Sequence, residues 1–393
     1  MAPPSRPSLP FVDLQAQRRR LGGRIEAAIA AVLSHGQFIM GPEVERLERA
    51  LAEYVGVIHA ITCASGTDAL LLVLKARGIG PGDAVFVPGF TFAASAEAVV
   101  LLGATPVFVD VERASCNLDP ASLQGALAAV ERAGELRPRA VIAVDLFGRP
   151  ADYQALRPVA RAHRLFVLQD AAQSFGARWC GAPTGAQGDA AATSFYPAKP
   201  LGAYGDGGAV LTDDDPLAEE VRLLRMHGER RQAARYEHVR VGLNSRLDTL
   251  QAAILLAKLG SLDEEIDRRA ALARRYDEAL GDLVLRPGAQ PSARSAWAQY
   301  TIRVGERDWL AAELRRRGIP TAVYYPRPLH RQPAYRHFPT APQGLPVAEA
   351  LARTVLSLPI HPDLADSDQA RIIAAIRDLV AKTGLIPTGR HPR

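Results

Sequence analysis

Residues 58–87 read IHAITCASGTDALLLVLKARGIGPGDAVFV. A short apolar run at 58–63 gives way, through Ala64-Ser65-Gly66, to a segment of helical character at 67–76, and a second apolar run follows at 84–87. The alternation continues to residue 212. Further apolar runs lie at 106–109, 140–144, 165–168, 191–195 and 209–211, bounded by Gly, Pro or Asp, and helix-like stretches such as 92–102 separate most of them. Strands covered on both faces read as short continuous apolar runs, and helical crossovers join parallel neighbours. The predicted fold class is therefore α/β, with a mostly parallel sheet covered by helices on both faces. Ligands of such sheets bind beyond the carboxyl ends of the strands.

Outward from this region the texture changes. A long helical pattern runs over 245–259 and 262–280. After Pro287 come a strand-like 297–304, a helix near 308–317, a Pro-rich loop at 325–333 and an amphipathic helix over 367–382. This predicts a large domain over 11–260 and a smaller C-terminal α/β domain over 261–385. The Pro-, Gly- and Arg-rich ends, 1–10 and 386–393, read as frayed tails.

The bulk numbers exclude several classes. With 393 residues, 48% of them hydrophobic, the chain can bury a large core. A net charge of +5 and short arginine clusters at 18–20, 230–231 and 315–317 are no nucleic-acid signature; they read as solvated helix faces. Cys63, Cys116 and Cys180 are odd in number and form no CxxC pair, so neither a disulfide framework nor a metal site is expected. No apolar run approaches the ~18 residues of a membrane span, and the first ten residues lack the apolar core of a signal peptide. A cytoplasmic protein is expected.

Four short stretches fall at the strand ends. Lys199 follows the 191–195 run and precedes Gly205-Asp206-Gly207-Gly208; alone, it reads rather as an exposed loop lysine beside a tight turn. Asp170 ends the 165–168 run, placed either to meet a pyridine nitrogen or to cap a following helix. Ser65-Gly66-Thr67 stands at a helix start, where free N–H groups bind phosphate or are simply capped. Pro88-Gly89-Phe90-Thr91-Phe92 follows the 84–87 run, and an aromatic there can stack on a planar ring, although by itself it is more often a core residue. Together they describe one site: a phosphate cup, a stacking ring, a carboxylate and a lysine. That is the equipment of a pyridoxal 5'-phosphate (PLP) enzyme.

The sequence also resembles the DegT/DnrJ sugar aminotransferases over nearly its whole length. The resemblance rests on Gly41-Pro42-Glu43-Val44, Ala64-Ser65-Gly66-Thr67-Asp68-Ala69-Leu70, Asp170-Ala171-Ala172-Gln173-Ser174 and Ser194-Phe195 with Lys199-Pro200-Leu201-Gly202. Gly205-Asp206-Gly207-Gly208-Ala209 and Gly242-Leu243-Asn244-Ser245-Arg246-Leu247-Asp248 with Gln251-Ala252-Ala253 are its most specific blocks. It implies the fold-type I PLP-dependent transferase architecture. By the same resemblance Lys199 carries the cofactor as a Schiff base and Asp170 pairs with its pyridine nitrogen. Gln173 meets the ring hydroxyl, Phe92 stacks on the ring, and Gly66, Thr67 and Ser194 hold the phosphate. Asn244 is implied to reach the cofactor phosphate of the neighbouring subunit in a homodimer with shared active sites. Relatives with His at the lysine position are dehydratases, so Lys199 favours transamination. The intact set of Lys199, Asp170 and Gln173 argues against a PLP-binding regulator without catalysis.

Within the family the chain is most similar to transaminases of UDP-2-acetamido-2-deoxy-3-oxo-glucuronate, through residues 35–41, 245–255 and 357–362. That resemblance implies a UDP-sugar substrate, glutamate as amino donor and Arg246 opposite the sugar carboxylate, with Tyr324 and Tyr325 in the same pocket. Arg246 has a second reading as a dimer-interface residue. Tyr324-Tyr325-Pro326 also departs from the His-Tyr-Pro common in that subgroup, so a substrate without a carboxylate, or another keto-sugar nucleotide, stays open.

Overall fold

The computed structural model describes residues 8–229, 236–286, 288 and 290–383. Most of both tails, and Arg230 and Arg231, lie outside the described residues. Helices α1 (Leu14–His35) and α2 (Pro42–Val55) precede strand β1 (His59–Cys63), and α3 (Gly66–Ala76), β2 (Asp83–Pro88), α4 (Ala94–Leu101), β3 (Thr105–Val109), α5 (Pro120–Ala133), β4 (Arg137–Val144), α6 (Tyr153–Ala162) and β5 (Phe166–Asp170) follow. The short β6 (Arg178–Trp179) and β7 (Ala182–Pro183) come next, then β8 (Ala190–Ser194), β9 (Gly208–Thr212), α7 (Asp215–Leu224), α8 (Thr249–Leu259) and α9 (Leu262–Leu280). The remainder comprises β10 (Ala293–Arg294), β11 (Tyr300–Arg303), α10 (Arg307–Arg316), α11 (Pro346–Thr354), β12 (Val355–Leu358) and α12 (Asp366–Thr383).

Seven strands form one sheet in the order β1-β9-β8-β5-β4-β2-β3. Pairing is parallel from β8 through β5, β4 and β2 to β3, whereas β9 runs antiparallel to both β8 and β1. All six residues of β2 are buried, as expected for a strand covered on both faces. Val85, Phe86 and Val87 lie in a core with Phe108, Leu123 and Val141. Each such side chain contributes about 1.5–3 kcal/mol on burial.

A separate core gathers Leu272 and Tyr276 of α9, Tyr300 and Ile302 of β11, Leu310 of α10, Leu356 and Leu358 of β12 and Ile376 of α12. Antiparallel pairing of β11 with β12 gives this unit its own small sheet. Leu9, expected in a frayed tail, packs on this core, and its N–H donates to Gly318 O at 3.0 Å.

Two further expectations are corrected. The helix anticipated from Ser245 begins only at Thr249. Leu243, Ser245 and Thr249 donate their N–H groups to Leu224 O, Arg225 O and Phe38 O, so the backbone here is committed to distant segments and stays extended. The arginine cluster at 18–20 is not a purely solvated face, because Arg20 pairs with Glu265 and Asp363, each at 2.7 Å, and ties α1 to α9.

Candidate active site

Gly66, Thr67, Asp170 and Ser194 stand where β1, β5 and β8 end and β9 begins, with Lys199 in the turn after β8. Helix α3 starts there, and Ser65 caps it by accepting from Asp68 N at 3.0 Å. The N–H groups of a first helical turn have no intrahelical acceptor, so Gly66 and Thr67 offer donors to an anion. Only glycine fits this cradle. A Cβ on Gly66 would lie 2.6 Å from Ser194 Cβ, and one on Gly208 would lie 2.4 Å from Ser65 O. Ser194 therefore borders the cup, as predicted.

Asp170 is the last residue of β5 and is buried. Turns rather than a helix follow it, which removes the capping reading. Ser95 Oγ donates to its Oδ2 at 2.9 Å and Ala172 N to its Oδ1 at 3.2 Å. Burial pushes this carboxyl above its ordinary range, opposed by Ser95, by Ala172 and by the charge of Lys199. Lys199 sits half-buried in a tight turn whose N–H donates to Tyr196 O at 2.8 Å. Burial lowers its amine below the ordinary lysine value, and the charge of Asp170 raises it.

Aromatic rings wall the opening. Phe92 is 57% exposed, and its ring centroid lies 6.0 Å from that of Tyr325. Phe90, at 6.3 Å, meets Tyr325 edge-on. The Tyr325 hydroxyl accepts from Gln173 Nε2 at 3.4 Å. Gln173 Oε1 accepts from Phe147 N at 2.6 Å, which fixes the amide with its Nε2 toward Tyr325. Tyr324 packs between Tyr325 and Phe11.

Residues 244–249 alternate. Ser245, Leu247 and Thr249 are buried, while Asn244 and Asp248 are exposed and Arg246 is half-buried. Ser245 Oγ donates to Asp68 Oδ2 at 2.6 Å and accepts from Ala64 N at 3.3 Å, fastening this segment to the phosphate cup. Asn244 and Arg246 form no side-chain hydrogen bond or ion pair among the described residues and are not brought into the Lys199 site of their own chain. Sequence reasoning gave no role to Ser95 or Ser245.

The donor set and glycine cradle suit PLP: anion donors at Gly66 and Thr67, a buried carboxylate at Asp170, a desolvated amine at Lys199 and a ring at Phe92. Among the described residues no cluster of His, Cys, Asp or Glu could hold a metal ion, and no helix is long and apolar enough to cross a membrane.

The sequence profile of the DegT/DnrJ/EryC1/StrS aminotransferase family matches residues 20–377. The chain is 47% identical to UDP-2-acetamido-2-deoxy-3-oxo-D-glucuronate aminotransferase of Pseudomonas aeruginosa, over 93% of this chain and 98% of the relative. A crystal structure of a DegT DnrJ EryC1 StrS aminotransferase from Brucella abortus superposes with a TM-score of 0.93 at 52% identity, covering 94% of this chain and 99% of that one. S. venezuelae DesV, solved with a ketimine intermediate, gives a TM-score of 0.90 at 44% identity, with coverage of 95% and 99%. NtdA from Bacillus subtilis, solved with bound cofactor PMP, gives 0.85 at 28% identity, with coverage of 95% and 85%. With sequence, fold and site in agreement, the chain belongs to the DegT/DnrJ/EryC1/StrS aminotransferase family and is a PLP-dependent aminotransferase.

Proposed function

We propose that this enzyme aminates C3 of a UDP-linked 2-acetamido-3-keto sugar, a uronate, with glutamate as donor, in the synthesis of surface polysaccharide or glycoconjugate sugars. The observation that carries the aminotransferase chemistry is that the buried Asp170 ends β5 while Lys199 follows its parallel neighbour β8, at the same carboxyl edge of the sheet and beside a helix start that only glycine permits. The substrate class follows the 47%-identical relative and Arg246, a half-buried guanidinium with no carboxylate partner among the described residues. Arg pairs with carboxylate through two parallel hydrogen bonds, which suits a uronate.

In this reading Gly66, Thr67 and Ser194 hold the cofactor phosphate, Phe92 covers the ring, and Gln173 donates through Nε2 to the ring hydroxyl. When bound, PLP supplies an electron sink for the bond broken at the substrate carbon. Asp170, oriented by Ser95 and Ala172, would face the ring nitrogen and favour its protonated form. Lys199, with a desolvated and hence less basic amine, anchors the cofactor, then takes a proton from the substrate carbon and returns it to its acceptor. Tyr325, held by Gln173, shields the opening from water.

The exposed side of Asn244 supports a homodimer with shared sites, in which Asn244 completes the neighbour's phosphate cup. Leu33, Phe38, Ile39 and Val241 are large apolar side chains left exposed on one chain, as an association surface requires. The free thiols Cys63, Cys116 and Cys180 support a reducing, cytoplasmic setting. We assign 11–260 and 261–385 as the two domains, in line with the separate core that α9, β11, α10, β12 and α12 share.

The test is the reverse reaction: amino-sugar nucleotides are offered with 2-oxoglutarate and glutamate is measured. UDP-linked 3-amino uronates should respond most. A response confined to 4-amino sugars overturns the C3 assignment, and a preference for sugars lacking the carboxylate favours a second reading. That reading is supported by Tyr324, whose uncharged ring, among Phe11 and Tyr325, offers no cation to a carboxylate.

A further inference from the structure

Lys258 lies on the last turn of α8 and is 3% exposed. Among the described residues no carboxylate bonds it. The neighbouring Glu265 is engaged by Arg20 at 2.7 Å and by Gln17 at 3.1 and 3.2 Å. The Lys258 Nζ instead donates to Gly202 O at 2.6 Å and stands 4.6 Å from the centre of the Tyr204 ring. Both partners belong to the turn that leaves Lys199.

That turn is closely wound. Lys199 N donates to Tyr196 O, and Ala203 N donates to Phe195 O at 2.7 Å. A Cβ on Gly202 would come within 2.3 Å of Pro197 O. From the same face of α8, Gln251 Oε1 accepts from Tyr204 N at 2.8 Å. Helix α8 therefore grips the turn at two backbone points, one an acceptor and one a donor.

Burying an amine with a single neutral acceptor is costly, and burial drives the Lys258 pKa down to about 8. A methionine would fill the same space without that cost. What it could not do is hold the Gly202 carbonyl. We propose that Lys258 is a positioning residue for the reaction: through Gly202 O it fixes the turn from which the Lys199 side chain reaches the site of Asp170. Loss of the bond lets the turn relax, and small misplacements of a reacting group cost rate far more than binding.

The inference rests on the role given to Lys199, and the two fail separately. Borohydride trapping of the wild-type holoenzyme on another lysine removes the Lys199 reading, whatever Lys258 does. With Lys199 trapped, Lys258→Met holoenzyme is compared with wild type. The expected result is a kcat lower by about ten-fold or more, KM for the amino donor within about two-fold, and a displaced pH midpoint of the visible absorbance band of the lysine-bound cofactor. In the cofactor-free protein, the amides of Lys199 and Ala203 should exchange faster. A Lys258→Met enzyme with wild-type kcat and absorbance midpoint overturns the proposal, even if its Tm falls, because a merely structural lysine predicts that pattern. Should Lys258→Met not fold, Lys258→Gln, which keeps a shorter donor, is read by the same midpoint and kcat-against-KM split.

Discussion

The hydroxyl of Ser95 donates to Oδ2 of Asp170 across 2.9 Å, with both residues buried. It is one of two hydrogen bonds that oppose the upward push burial gives to this carboxyl. Hydrogen bonds to charged groups contribute about 1.5–3 kcal/mol. Ser95→Ala should therefore lower kcat/KM by roughly 10- to 100-fold and weaken PLP retention, with Asp170→Asn more severe. Steady-state kinetics and cofactor titration check this, and wild-type values for Ser95→Ala would remove Ser95 from the site's electrostatics.

The purified protein should be yellow, and borohydride should fix the cofactor to the peptide carrying Lys199. Lys199→Ala should bind the cofactor without covalent attachment and lose transamination. Mass spectrometry of the trapped peptide decides the matter.

Asn244 is exposed on a segment whose alternate residue, Ser245, is fastened to the phosphate cup. Lys199→Ala and Asn244→Ala proteins, each inactive alone, should regain activity when mixed under conditions where subunits exchange. One site of the hybrid then holds both intact residues. Exchange without recovery, followed by native mass spectrometry, counts against the shared site.

Arg246→Lys keeps the charge but loses the bidentate fork. KM should rise more for the uronate than for its 6-hydroxymethyl counterpart. An equal rise for both substrates points to Arg246 serving the dimer interface instead.

His361 is buried with no hydrogen-bond partner for either ring nitrogen, and burial, aided by the charge of Arg269, lowers its pKa to about 4. The unfolded chain, with an ordinary value near 6.5, binds the extra proton between these two limits. Stability is therefore present above about pH 6.5 and lost as pH falls through about 4, by up to roughly 2–3 kcal/mol. His361→Asn should flatten this part of the acid profile, measured by denaturant unfolding from pH 7 to pH 4.5. An unchanged slope would show that His361 is not the titrating group.

The sheet was legible because its strands are buried on both faces, so 84–87 and 140–144 announce themselves as unbroken apolar runs. Lys199 and Asp170 were legible because they stand at the ends of such runs. What was not legible depends on long-range contacts. The extended form of 245–248 is set by hydrogen bonds to Phe38, Leu224 and Arg225, none of them a neighbour in sequence. Lys258 reads as an ordinary helical lysine until Gly202 is seen beside it. The outward placement of Asn244 follows from the burial of Ser245, which no local pattern states; only resemblance to the family marked it beforehand.

The outward turn of Asn244 has a genetic consequence. If each site borrows this side chain, a chain lacking both Lys199 and Asn244 silences the intact chain it joins as well as itself. One of the two sites then has no lysine, and the other has no borrowed asparagine. Such an allele would be dominant: in a freely mixing population activity would follow the square of the intact fraction, so equal expression of the two chains would leave about a quarter of the activity rather than half.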